Sequence, residues 1–143
     1  KCATCGSSVV AEERFRKRKW DAPRHHIYYH CSRFAQYDCP ERYLSDERLK
    51  KELVRYAQFV EMAQPQTIKI TDKITRSMDT YRKVRDEVLL HQNVDPDDKP
   101  ISFLEYSKYA LINGAVQEKR DIVTAFNKQL YIRDRTIVSS KSY

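Results

Sequence analysis

The side chains best suited to chemistry in this 143-residue chain are four thiols, all within the first 39 residues. Cys2 and Cys5 enclose two residues and are followed by Gly6; Cys31 and Cys39 come 25 residues later and enclose seven. Two close pairs of cysteines across a spacer of this length point to a single Zn²⁺ held by four thiolates, since soft sulfur suits the metal and a Cys-x-x-Cys turn lets two sulfurs meet one ion. Two disulfides of a secreted domain are the alternative. A basic segment without an apolar leader or further cysteines favours a reducing compartment, and so the metal. His25, His26 and His30 are possible substitute ligands, but four thiols already complete a tetrahedron. A filled coordination sphere has no position for water or substrate, so the ion is expected to be structural, replacing the core that about 40 residues cannot build.

Between the cysteine pairs, Ser8-Val9-Val10-Ala11 and His26-Ile27-Tyr28-Tyr29-His30 have the β-branched and aromatic content of strands. Joined across Arg14 to Arg24, they predict a hairpin with the tip Arg14-Phe15-Arg16-Lys17-Arg18-Lys19-Trp20. Such a two-stranded element fits a major groove, and its cations can neutralise phosphates. Arg14, Arg16, Lys17, Arg18, Lys19, Arg24 and Arg33 are therefore the candidate DNA contacts. The plainer alternative is a solvated tip with Trp20 folded against its own strands.

The rest of the chain must hold this segment in place. With 41% hydrophobic and 33% charged residues and a mean hydropathy of −0.77, it carries a modest core and no apolar run long enough for a membrane span. Only two glycines argue against Gly-rich phosphate loops and Rossmann turns. The net charge of +7 lies at the ends: residues 1–45 hold nine basic and five acidic groups, 46–100 hold eleven of each, and 101–143 hold seven and four. Four thiolates and one Zn²⁺ lower this to about +5.

A helix is expected from Ser45 to about Met62, and another from Thr71 or Asp72. The second places Ile74, Met78, Tyr81, Val84 or Arg85, and Val88 on one seam at steps of three and four, in the manner of a short coiled coil, which makes Ile74, Met78, Tyr81 and Val88 candidate partner contacts. Asp95, Asp97 and Asp98 lack the Gly and Glu of a calcium loop. Ser102 and Glu105 form the pattern of a capping box, Asn113-Gly114 stops that helix, and another runs from Val116 to Asn127 before a terminal hairpin over Gln129–Val138. The expected fold is α+β. A small four-cysteine β-ribbon (1–44) precedes a mostly helical region (45–143) whose terminal strands pack back on the ribbon.

Cys2-x-x-Cys5-Gly6-Ser7-Ser8, Tyr28-Tyr29-His30-Cys31 and Cys39 followed by Tyr43 together resemble the recombinase zinc-ribbon domain of large serine site-specific recombinases. The ending is also similar to theirs, from Gln117-Glu118-Lys119-Arg120-Asp121 to Leu130-Tyr131-Ile132-Arg133-Asp134. The resemblance implies that Cys2, Cys5, Cys31 and Cys39 are metal ligands, that Arg16 to Lys19 face attachment-site DNA, and that the helices meet other recombinase subunits. It implies double-stranded DNA as partner, no small-molecule substrate, and a cytoplasmic bacterial or phage setting. The nucleophilic serine of that family belongs to a separate N-terminal catalytic domain, so this chain is expected not to cut DNA by itself. A protein-interaction module anchored by the zinc site is the second expectation, and a metal-dependent nuclease the third and weakest.

Overall fold

A computed structural model describes residues 1–139 except 18, 21 and 23. The chain is a mixed α/β protein with four α-helices and small antiparallel sheets among the described residues. It divides into two compact units, one of Lys1–Tyr56 with Lys128–Tyr143 and the other of Ala57–Asn127. Where the sequence suggests one boundary at 44/45 with terminal strands packing back, the segment from Lys128 belongs with the first unit, which it joins by backbone pairing. No described helix is long and apolar enough to cross a membrane.

The first unit is built on strands β1 (Val9–Arg16), β2 (Arg24–Cys31) and β3 (Leu44–Ser45), in the order β1-β2-β3. The β1–β2 ladder runs from Val9 opposite Cys31 to Arg16 opposite Arg24. The strands are thus longer, and the connecting loop shorter, than the apolar pattern predicts. Cross-strand pairs carry the extension: Phe15 stacks on His25 with ring centroids 4.7 Å apart, and Glu13 meets His25 at 3.2 Å. Helix α1 (Asp46–Ala63) begins where the hydroxyl of Ser45 accepts the N–H of Arg48 at 3.3 Å.

Strands β4 (Tyr131–Arg133) and β5 (Thr136–Val138) form a second small sheet. Ile132 bridges to Cys2: its N–H donates to the carbonyl of Lys1 and its carbonyl accepts from Ala3, at 2.8 and 2.9 Å. Glu52, buried on α1, fastens the other strand. Its carboxylate accepts from Arg55 at 3.0 Å and from the N–H of Ile137 at 3.4 Å, while Arg55 donates to the carbonyl of Ile137 at 3.0 Å.

The second unit holds the end of α1, a 3₁₀ turn at Pro65–Thr67, and helices α2 (Asp72–His91), α3 (Phe103–Asn113) and α4 (Val116–Ala125). Its core includes Val60, Ile74, Phe103, Tyr106, Leu111, Ile122 and Phe126. Thr71 caps α2 and Ser102 caps α3, as their types predict. The capping box expected at Ser102 is incomplete, since the Glu105 carboxylate accepts from Arg85 on α2 at 3.1 Å. Glu118 makes the reciprocal contact at α4 instead, accepting the N–H of Ala115 at 2.8 Å. Helix α4 ends two residues early, just before Asn127 turns to φ 52.

Gly114 ends α3 for want of space. A Cβ there would lie 2.5 Å from the carbonyl oxygen of Ala110 and 2.9 Å from its Cα, both of them backbone atoms that cannot swing away. Gly114→Ala is therefore expected to cost about 1–3 kcal/mol. A thermal melt of the variant checks this; an unchanged midpoint would contradict the tight α3–α4 corner.

Candidate metal centre

The first cysteine pair sits on a tight turn and the second on a loop leaving β2. Gly6, at φ 79, donates its N–H to the carbonyl of Cys2 at 3.0 Å, and the N–H of Cys2 donates to the carbonyl of Ser7 at 2.8 Å. Only a residue tolerant of the left-handed region closes this turn cheaply, which explains glycine after Cys5. The second loop is held by Ser7: its buried hydroxyl accepts the N–H of Ala35 at 2.9 Å and lies 3.1 Å from Cys5 Sγ. Seven residues between Cys31 and Cys39 reach the cluster because this loop is fixed part-way along.

The four sulfurs converge. All lie within 4.8 Å of one another, with Cys2 to Cys39 at 3.7 Å and Cys5 to Cys31 at 3.3 Å. A tetrahedral zinc with sulfur ligands at about 2.3 Å separates them by about 3.8 Å, so the set has the size of one coordination shell. The thiols are free, not disulfide-bonded. Cys2, Cys31 and Cys39 are buried together and form a small core of their own. The four cysteines could hold a metal ion, and the donor set is consistent with one zinc. Among the described residues no other group of three or more His, Cys, Asp or Glu side chains is placed to do so. His25, His26 and His30 are engaged elsewhere: His25 stacks on Phe15, His26 lies against Tyr28, and His30 stacks on Tyr43. Asp97, from the acidic loop, pairs with Lys99 at 3.0 Å.

Backbone N–H groups point at three of the sulfurs, each from two residues further on: Ser7 to Cys5, Arg33 to Cys31 and Glu41 to Cys39. Arg33 reaches this position by adopting φ 57, with its N–H 3.2 Å from Cys31 Sγ. Such donors favour the thiolate. At Cys5 burial pushes the thiol up, but the hydrogen bonds from Ser7 and the neighbouring sulfurs outweigh it and bring it down to about 6. Burial dominates at the other two: it raises Cys31 and pushes Cys39 up to about 12.

The sign of the pH effect follows. At neutral pH Cys5 is mostly thiolate, whereas Cys31 and Cys39 hold protons that a metal must displace. Metal affinity is expected to fall at least about a hundred-fold per pH unit below neutrality, and more steeply once Cys5 also protonates. Calorimetry in buffers of different ionisation enthalpy should find at least two protons released per ion. Fewer than two would mean the ion does not use both buried thiols.

The basic candidates are not equivalent. Arg14 is bound by Glu12 at 2.7 Å, with its guanidinium above the rings of Tyr28 and Tyr43 at 5.6 and 5.4 Å. Arg16, Lys17, Lys19 and Arg24 are exposed around the hairpin end, and Arg18 lies outside the described residues. Arg16 and Arg24 stand directly opposite each other. Trp20 is 89% exposed, with Lys19 Nζ 5.7 Å from its ring centre, so it does not fold against its own strands. Of the helical candidates, Ile74 is buried in the second unit, Met78 is partly buried, and Tyr81 stacks on Tyr109 at 4.5 Å, while Val88 stays half exposed. The seam is thus used largely inside that unit. Ser7 and Glu41 do not stand out in the sequence as part of this centre, because their contacts with the sulfurs depend on how the two loops close.

No family model matches the chain, nor does any curated protein or solved structure.

Proposed function

We propose that this chain is a zinc-organised module that binds double-stranded DNA, of the kind that positions a serine site-specific recombinase on its attachment site. Cys2, Cys5, Cys31 and Cys39 would hold one structural Zn²⁺. A shell of four thiolates is closed to water and substrate, so the ion fixes a ribbon and takes no part in strand cleavage. Cleavage in this reading belongs to a catalytic domain elsewhere in the recombinase.

The observation that carries the reading is the hairpin end opposite the thiols. Arg16 faces Arg24 directly across the ladder, with Lys17 and Lys19 exposed beside them. Like charges in opposed positions destabilise a sheet. A polyanion removes that repulsion, and Trp20 adds an exposed ring at the same end. Fluorescence anisotropy of the zinc-loaded chain with duplex DNA at several salt concentrations tests this. A steep salt slope supports it, and absence of binding at low salt overturns it.

The second reading is a subunit-contact module. Val84, Val88 and Leu90 on α2 are each half exposed or more, so this helix keeps apolar surface after packing. A chain that stays monomeric at high concentration would count against it.

A further inference from the structure

The cations of the first unit gather in a second place. A cleft of about 540 Å³ opens where β2, β3 and the start of α1 meet the turn between β4 and β5. Arg42, Arg48 and Arg135 line it together with Tyr28, Tyr43 and Asp134. Arg48 is answered by Glu52 at 3.4 Å. Arg42 and Arg135 are exposed and have neither an ion pair nor a hydrogen bond among the described residues. Three guanidinium groups thus share one concavity with a single lining carboxylate.

The turn that delivers Arg135 is costly. Asp134 and Arg135 are the two connecting residues of the β4–β5 hairpin, at φ 43 and φ 62. This geometry favours Asn-Gly or Asp-Gly. Glycine adopts the second position freely, whereas arginine is strained there. No partner within the unit repays that strain, so a gain outside the fold must account for the side chain. The floor is stiff, since Tyr28 pairs with Ser45 across β2 and β3, and His30 stacks on Tyr43 at 4.5 Å.

We infer that this cleft binds a phosphodiester group, as a second backbone contact of the DNA held by the hairpin end. The inference rests on the duplex-binding reading above. Guanidinium forks match phosphate oxygens in pairs, and tyrosine hydroxyls can donate to the same anion. Asp134 disfavours a bare anion alone in the cleft and suits an extended backbone that spreads over several donors.

The test uses the full zinc-loaded chain. Arg42→Ala with Arg135→Gly is expected to weaken duplex binding about 30-fold at about 150 mM salt, uniformly across sequences, and to lower the salt slope by about two. Arg135→Lys should keep the slope. Arg135→Gly alone should melt no lower than the parent, because glycine relieves the turn, so lost binding cannot be ascribed to unfolding. If the parent binds no duplex, the duplex reading falls and this inference with it. If the parent binds and the double variant keeps its affinity and slope, while neutralising the hairpin end weakens binding, this inference alone is overturned. Inorganic phosphate distinguishes the other source: if it shifts the Arg42 and Arg135 Nε–H resonances while the variants bind duplex normally, the cleft serves free phosphate and the proposal is wrong.

Discussion

Treating the zinc-loaded chain with a strong chelator is expected to unfold Lys1–Cys39 and to abolish duplex binding. The reason is that no other core lies within that segment among the described residues. Its buried side chains are chiefly the thiols themselves; β1 exposes most of its residues, and β2 fully buries only Cys31. Binding of a structural zinc contributes about 10–16 kcal/mol in small peptides, more than the whole stability of many domains. Cys39→Ser should reproduce the loss, since it removes a buried ligand and leaves a hydroxyl among sulfurs. Far-ultraviolet circular dichroism reads the fold and anisotropy reads the binding. The helical signal from α2, α3 and α4 should largely persist, because the second unit has its own core. Retention of full DNA affinity after complete metal removal would refute the metal-organised reading.

Neutralising the hairpin end is expected to have the next largest effect. Replacing Arg16, Lys17, Arg18 and Lys19 with alanine removes four cations, of which Arg16, Lys17 and Lys19 make no ion pair among the described residues. If each meets a phosphate, the salt slope falls by about four and affinity at about 150 mM salt drops roughly 10³-fold. Stability should stay close to the parent's, and relief of the Arg16–Arg24 opposition would raise it slightly. The pair of readouts matters. A loss of affinity with an unchanged melt assigns the cations to binding, whereas wild-type affinity and slope would remove the hairpin from the interface.

What the sequence disclosed, and what it hid, follows from the range of each interaction. Helix starts at Thr71 and Ser102 were legible because a cap is a contact across three residues. The four cysteines were legible as a set because metal chemistry restricts the types and spacings that work. The length of β1 was not: the apolar pattern stops at Ala11 and sets the connection from Arg14 to Arg24, and only partners across the ladder carry the strand on to Arg16. Nothing local marks Glu52 out, yet it is buried and accepts the N–H of a strand residue 85 positions further on. The arginine cleft was hidden for the same reason, since Arg42, Arg48 and Arg135 come from three separate stretches. Asp134-Arg135 stands where such a hairpin favours Asp-Gly, but the meaning of the departure needed the cleft it faces.

The pairing of Ile132 with the backbone around Cys2 also bears on the order in which the protein is made. The first unit is discontinuous, interrupted by everything from Ala57 to Asn127. All four cysteines are available once Cys39 has left the ribosome, but the strand that docks beside the first of them is made only after the inserted helices. Metal capture can therefore precede completion of the sheet by most of the chain, and it keeps the early segment compact while the helices form. The inserted helices can fold as a body of their own and set the interval before closure, because a longer intervening loop adds little to the entropic cost of joining its ends. Changes in the length of that insert should thus be borne more easily than changes to the short strand that completes the fold.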